Sequence, residues 1–121
     1  MPQPFRIGVN VFVQRDGKTL LGKRKSGYGA GEWGLPGGHV EFIEKFFDTA
    51  ARELKEETGL TAKLFEFNNL VNQPRPDEDG HYVQVGVVAI NPVGEPINVE
   101  PENCQGWEWF SLDALPEPLF R

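Results

Sequence analysis

GHVEFIEKFFDTAARELKEETGL, running from Gly38 to Leu60, is the stretch whose reading decides the fold. Taken as a helix from about Lys45 to Thr58, it sets Glu53, Glu56 and Glu57 at i, i+3 and i+4, which brings three carboxylates onto one face. That placement opposes stability twice over. Like charges at this spacing cost an isolated helix about 0.2–0.5 kcal/mol per pair, and the last turn is already the negative end of the helix dipole. One reading is a solvated face relieved in part by Lys55. The other is a hard divalent cation, which prefers carboxylate oxygens and turns the repulsion into ligation.

The residues around the helix favour the second reading. Gly37 and Gly38 allow tight backbone just before it, and Gly59 supplies a left-handed cap just after it. Arg52 lies two turns beyond Glu44, where the two can pair. Phe46, Ala50 and Leu54, with Phe47 and Ala51 beside them, make an apolar stripe next to the carboxylate face, so one side can anchor on a sheet while another faces a cleft.

At 121 residues the chain reads as one domain, 1–121, with room for one sizeable core. A net charge of -6 argues against a nucleic-acid polymer as partner, since such proteins present basic surfaces to phosphates, but leaves a small nucleotide open. A single cysteine, Cys104, excludes an internal disulfide framework and fits a reducing compartment. No apolar run approaches the roughly 20 residues that span a bilayer, and MPQPFRIGVN lacks a signal-peptide pattern. A cytoplasmic protein without a membrane partner is expected.

Upstream of the helix, Phe5 to Gln14 and Lys18 to Lys25 read as strands joined by the hairpin turn Asp16-Gly17. The second ends in Lys23-Arg24-Lys25, either a solvated surface or a phosphate site in which Arg24 acts with Lys23 or Lys25. Ser26 to Gly34 reads as a glycine-rich loop, and Trp33 and Leu35 as core or as the wall of a ligand pocket. Downstream, Thr61 to Val71, His81 to Ile90 and Gly106 to Phe110 read as strands, Asn72 to Gly80 and Asn91 to Cys104 as loops, and Ser111 to Leu115 as a capped turn of helix. His81 reads as a catalytic base or as a structural residue. Strands on both sides of a central helix predict an α/β fold with a mixed sheet covered by helices.

The stretch also satisfies, without a gap, the pattern G-x5-E-x7-R-E-U-x-E-E-x-G-U, where U is a bulky aliphatic. It does so through Gly38, Glu44, Arg52, Glu53, Leu54, Glu56, Glu57, Gly59 and Leu60. This is the signature of the Nudix hydrolases, and LLGKRKSGYGAG, LPGGHVEF, HYV and NVEPENCQGWEW with LPEPLF resemble their small cytosolic MutT-homologue nucleotide diphosphatases. The resemblance implies the Nudix α/β/α sandwich, with a mixed β-sheet and a central catalytic helix. It implies hydrolysis of a nucleoside triphosphate, modified or not, to the monophosphate and pyrophosphate with Mg2+ or Mn2+. The alternatives are ADP-ribose-like dinucleotides, prenyl diphosphates, or a nucleotide sensor that does not cleave. A homodimer is compatible with it.

Residue by residue, the resemblance implies Glu53 and Glu57 as metal ligands, Glu56 as ligand or water activator, and the Gly38 carbonyl as a further oxygen donor. Glu44 and Arg52 orient this set. Glu56 or Glu53 is implied as the base, with Glu100 or Glu102 of the later loop as the alternative, and Leu35, Gln84 and Phe120 fall where the base would lie. Two departures stand out: Ile43 takes the place of the glycine that usually precedes the first glutamate, and the chain stops at Arg121 where relatives continue.

Overall fold

A computed structural model describes residues 5–25, 30–76 and 80–120; part of the loop expected at 26–34, namely 26–29, and Arg121 lie outside the described residues. The elements are β1 (Phe5–Arg15), β2 (Lys18–Arg24), β3 (Trp33–Gly34), β4 (Gly37–His39), α1 (Phe46–Thr58), β5 (Leu64–Arg75), β6 (Gly80–Ile90) and β7 (Cys104–Ser111). Asp16 and Gly17 take φ of 53° and 76°, the left-handed pair that a two-residue hairpin needs, and Gln14 and Arg15 pair with Thr19 and Lys18.

The sheet is mixed. β1 runs parallel to β6 over Phe5 to Val13 and antiparallel to β4, while β5 is antiparallel to β6 and forms one edge. At its far end β1 hands over to β2, which carries β3 and β7 antiparallel on either side.

Alternation along β1 explains the layering. Val9, Val11 and Val13 are fully buried and join Val85, Val87 and Ala89 of β6 with Ala50, Leu54 and Leu60 in one core. Gly8, Asn10 and Phe12 must then look to the opposite face, where a cavity of about 360 Å3 is lined by Phe12, Leu21 and Val88 among others. Among the described residues α1 is the only α-helix. Among the described residues no helix is long and apolar enough to cross a membrane.

Four local expectations are corrected. The buried stripe of α1 is Thr49, Ala50, Leu54 and Thr58, whereas Phe46 and Phe47 remain about 43–44% exposed and Ala51 is exposed. The threonines can be buried because Thr49 Oγ1 donates to Glu44 Oε1 at 2.7 Å and Thr58 Oγ1 to the Leu54 carbonyl at 2.6 Å. Residues expected as loop from Asn72 extend β5 to Arg75, because β6 offers an unbroken ladder down to Gly80 that outweighs the local proline. Trp33 and Gly34 pair with Lys23 and Gly22 as the short strand β3. Ser111 to Leu115 is a turn closed by the Ala114 N–H on the Ser111 carbonyl, with no helix following.

Candidate active site

The geometry begins at the two glycines of β4. A Cβ on Gly37 would lie 2.1 Å from the Val9 carbonyl oxygen, and one on Gly38 would lie 2.3 Å from Glu53 Cδ. At Gly37 a side chain would run into the main chain of β1, and at Gly38 it would displace the Glu53 carboxylate. The Gly37 N–H donates to Glu57 Oε2 at 3.1 Å, so the backbone itself holds one carboxylate.

Arg52 organises the others. Its Nε and Nη2 grip Glu44 at 2.8 and 3.0 Å, Nη1 reaches Glu53 at 2.7 Å and Glu56 at 3.4 Å, and Nη2 also donates to the His39 carbonyl at 3.1 Å. The planar five-donor fork of arginine is what makes one residue able to serve so many oxygens. Hydrogen bonds from Arg52, Thr49 and the Glu41 N–H hold the Glu44 carboxyl down at about 2. The pairing in turn raises Arg52 above its ordinary value.

Glu57 behaves in the opposite sense. Burial, then a hydrogen bond and charge repulsion from Glu53, push it up to about 9 against the opposing Gly37 N–H, with Glu100 adding to the repulsion. Its helix end is held elsewhere: Trp107 Nε1 donates to the Glu57 carbonyl at 3.0 Å, and the Ile97 and Gly59 N–H groups take the Thr58 and Lys55 carbonyls. Gly59, at φ 77°, is the left-handed cap expected of it.

Glu53, Glu57 and Glu100 line a cavity of about 260 Å3, together with Arg24, Leu35, Gly37, Cys104 and Trp107. Among the described residues no three His, Cys, Asp or Glu side chains are drawn together as a ready ligand cluster. The chemistry of the donors nevertheless fits a hard cation. A partly buried carboxylate whose titration is pushed upward beside a second carboxylate gains by taking up positive charge, and oxygen donors suit Mg2+ or Mn2+.

A second cavity of about 460 Å3 adjoins the first, and Arg24, Leu35 and Gly37 line both. Its wall includes Asn10, Gly38, His39, Gln73, Arg75, Tyr82, Gln84 and Phe120. Arg24 and Arg75 lie over the Phe120 ring at 4.1 and 5.5 Å.

The residues singled out from sequence are thus largely gathered: Gly38, Glu53, Glu57, Arg24, Leu35, Gln84 and Phe120 line one cavity or both. Glu44 and Arg52 stand behind them. Others are not brought in. Glu56 turns its half-exposed carboxylate to Arg52, Lys25 donates to the Pro101 carbonyl, and Lys23 and Glu102 line neither cavity. His81 also lines neither; it pairs with Asn72 and packs its ring 4.6 Å from that of Phe5. Sequence reasoning missed Trp107, Asn10, Gln73, Arg75 and Tyr82. An asparagine inside the apolar alternation of β1 was the one available signal; the rest depend on strand register.

Ile43 adopts φ 72°, the left-handed conformation that a glycine would take there without strain. The departure from the pattern changes the side chain and leaves the turn.

The NUDIX domain family matches residues 4–121. A crystal structure of a MutT NUDIX hydrolase from Burkholderia pseudomallei superposes with a TM-score of 0.93 at 37% identity, covering 97% of this chain and 91% of that one. The ADP-ribose pyrophosphatase of Methanocaldococcus jannaschii is 32% identical over 114 residues, 94% of this chain. The oxidized purine nucleoside triphosphate hydrolase of Danio rerio is 36% identical over 107 residues, 88% of this chain. The chain spans 66% of the length of each of these two relatives.

Proposed function

The chain belongs to the Nudix family, and from that premise we propose that it hydrolyses a nucleoside triphosphate to the monophosphate and pyrophosphate with Mg2+ or Mn2+. One observation carries the reading: an acidic cavity and a larger amide- and aromatic-lined cavity meet at Arg24. A ligand with a planar head and an anionic tail fits that pair, the head against Gln84, Tyr82 and Phe120 and the phosphates toward Arg24.

With the Gly38 carbonyl as a further oxygen and Glu100 lining the same cavity, Glu53 and Glu57 would hold the cation. When bound, it supplies charge neutralisation on the phosphate oxygens and a positioned water. Arg24 binds phosphate at the junction of the cavities, and Arg52 fixes Glu53 through a charge-assisted bond. Water oxygen forms a bond to one phosphorus of the anhydride linking the α- and β-phosphates as the P–O bond from that phosphorus to the bridging oxygen breaks. The displaced phosphate oxygen leaves with the electron pair, giving monophosphate and pyrophosphate, and a carboxylate takes the water proton. Of Glu53 and Glu56, Glu53 is our choice for that proton, since it lines the cavity and Glu56 does not.

The names of the relatives support both an oxidised purine triphosphate and ADP-ribose as substrate classes. A panel of ordinary and oxidised purine triphosphates, ADP-ribose and a prenyl diphosphate, analysed for products with Mg2+ and Mn2+, separates them. Monophosphate and pyrophosphate released fastest from a triphosphate is the expected result. Faster cleavage of ADP-ribose to AMP and ribose 5-phosphate, or binding without cleavage, refutes it. The lone thiol favours a reducing, cytoplasmic setting. The exposed Leu64, Phe67 and Leu70 on edge strand β5 favour a homodimer along that edge, which sedimentation tests.

A further inference from the structure

Three amides meet on the floor of the larger cavity, and the hydrolytic chemistry has no use for them. Asn10, Gln84 and Gln73 come from the three neighbouring strands β1, β6 and β5. Asn10 Nδ2 donates to Gln84 Oε1 at 3.4 Å, and Gln84 Nε2 donates to Gln73 Oε1 at 3.3 Å. Gly8 is the partner of Gln84 across the β1–β6 ladder, and a Cβ there would lie 2.5 Å from Gln84 Oε1. The missing side chain is what allows the glutamine to lie toward Asn10.

This relay has a direction. Gln84 gives its oxygen to one neighbour and its N–H to the other, so its amide can turn over only if both neighbours turn with it. In one sense Asn10 keeps its carbonyl oxygen for a ligand and Gln73 keeps its NH2; in the other sense the two ends exchange roles. Both senses occupy the same heavy-atom positions. The edge of a purine at positions 1 and 6 inverts in the same way. A 6-amino purine presents an acceptor at N1 and a donor at C6, and a 6-oxo purine presents a donor at N1 and an acceptor at C6. Resting on the nucleotide reading of the cavity, we infer that Asn10–Gln84–Gln73 is a reversible reader of the purine 6-position. One cavity thereby accepts both base classes, and the direction of the relay sets which is preferred.

The test is titration calorimetry of the full chain with AMP and IMP at saturating Mg2+. These ligands differ only at position 6 and the adjoining N1 proton, and neither contains an anhydride, so binding is read without turnover. Asn10→Asp makes one end an acceptor and draws the Gln84 N–H toward position 10, whereas Gln73→Glu draws it toward position 73. In each variant both ends of the relay then offer an oxygen, the carboxylate being the stronger acceptor. A carboxylate facing C6 favours the 6-amino ligand and one facing N1 the 6-oxo ligand, while its repulsion of the phosphate, common to both, cancels in the AMP/IMP affinity ratio. The two variants are expected to move that ratio in opposite directions, each by about fivefold or more. Gln84→Met, which adds no charge, is expected to weaken both ligands about fivefold or more, and it keeps the test available should an acidic variant fail to fold. Ratios that stay put or move the same way, unchanged affinities in Gln84→Met, or wild type binding neither ligand would each overturn the inference. Failure of the hydrolysis panel with opposite ratio shifts intact would instead overturn the proposed reaction alone.

Discussion

Replacing Glu57 by glutamine separates the cost of the acidic helix end from its use. The folded protein raises this carboxyl from an ordinary 4.5 to about 9, chiefly through burial and the neighbouring Glu53. Below about pH 4.5 both folded and unfolded chains hold the proton, and the group contributes nothing. From there to about pH 9 the unfolded chain releases the proton and the folded one keeps it, so stability falls by up to about 1.4 kcal/mol per pH unit. Above that range the loss levels off. Glutamine keeps the acceptor for the Gly37 N–H, offers Glu53 a donor, and does not titrate. In chelator, Glu57→Gln should therefore melt with wild type at pH 5 and above it at pH 8. Relaxation around the pair trims the slope, leaving about 2 kcal/mol, or about 8 °C in Tm. Metal-dependent turnover should drop by about 100-fold or more. Scanning calorimetry at the two pH values, paired with the pyrophosphate assay, decides it. A gap in Tm independent of pH, or near-normal turnover, refutes the reasoning.

Arg52→Lys replaces a fork by a point charge, so turnover should fall about tenfold or more. The Tm deficit should shrink as pH drops from about 4.5 toward 2, because the stability that ionised Glu44 derives from Arg52 is present above its unfolded value and lost on protonation; acid-range melting curves check both. Gly37→Ala should cost about 2–3 kcal/mol in urea unfolding, since its Cβ meets the main chain of Val9, while Gly38→Ala should stay within about 1 kcal/mol and lose activity as Glu53 is pushed aside. Equal stabilities for the two alanine variants would contradict this contrast. Ile43→Gly relieves a left-handed β-branched residue that is 86% exposed, and a gain of about 0.5–1 kcal/mol net of glycine's own entropy should appear in denaturant midpoints.

Sequence alone determined what is carried by local spacing. The helix from Phe46 to Thr58, its glycine cap, the Asp16-Gly17 hairpin and the pairing of Arg52 with Glu44 all follow from contacts within a few turns, where residue separation translates directly into distance. Tertiary structure decided what depends on register between distant strands. Glu53, Glu56 and Glu57 look equivalent in sequence, yet Arg52 holds Glu56 outside while burial takes Glu57 in. Gln84 faces Gly8, and Gln73 belongs to a strand rather than a loop, only because β1, β6 and β5 align as they do. Pairing across the sheet has a period of two, so one residue of slip would have turned these side chains to the other face. Nothing within a single segment specifies that choice; the burial of Val9, Val11 and Val13 against α1 does.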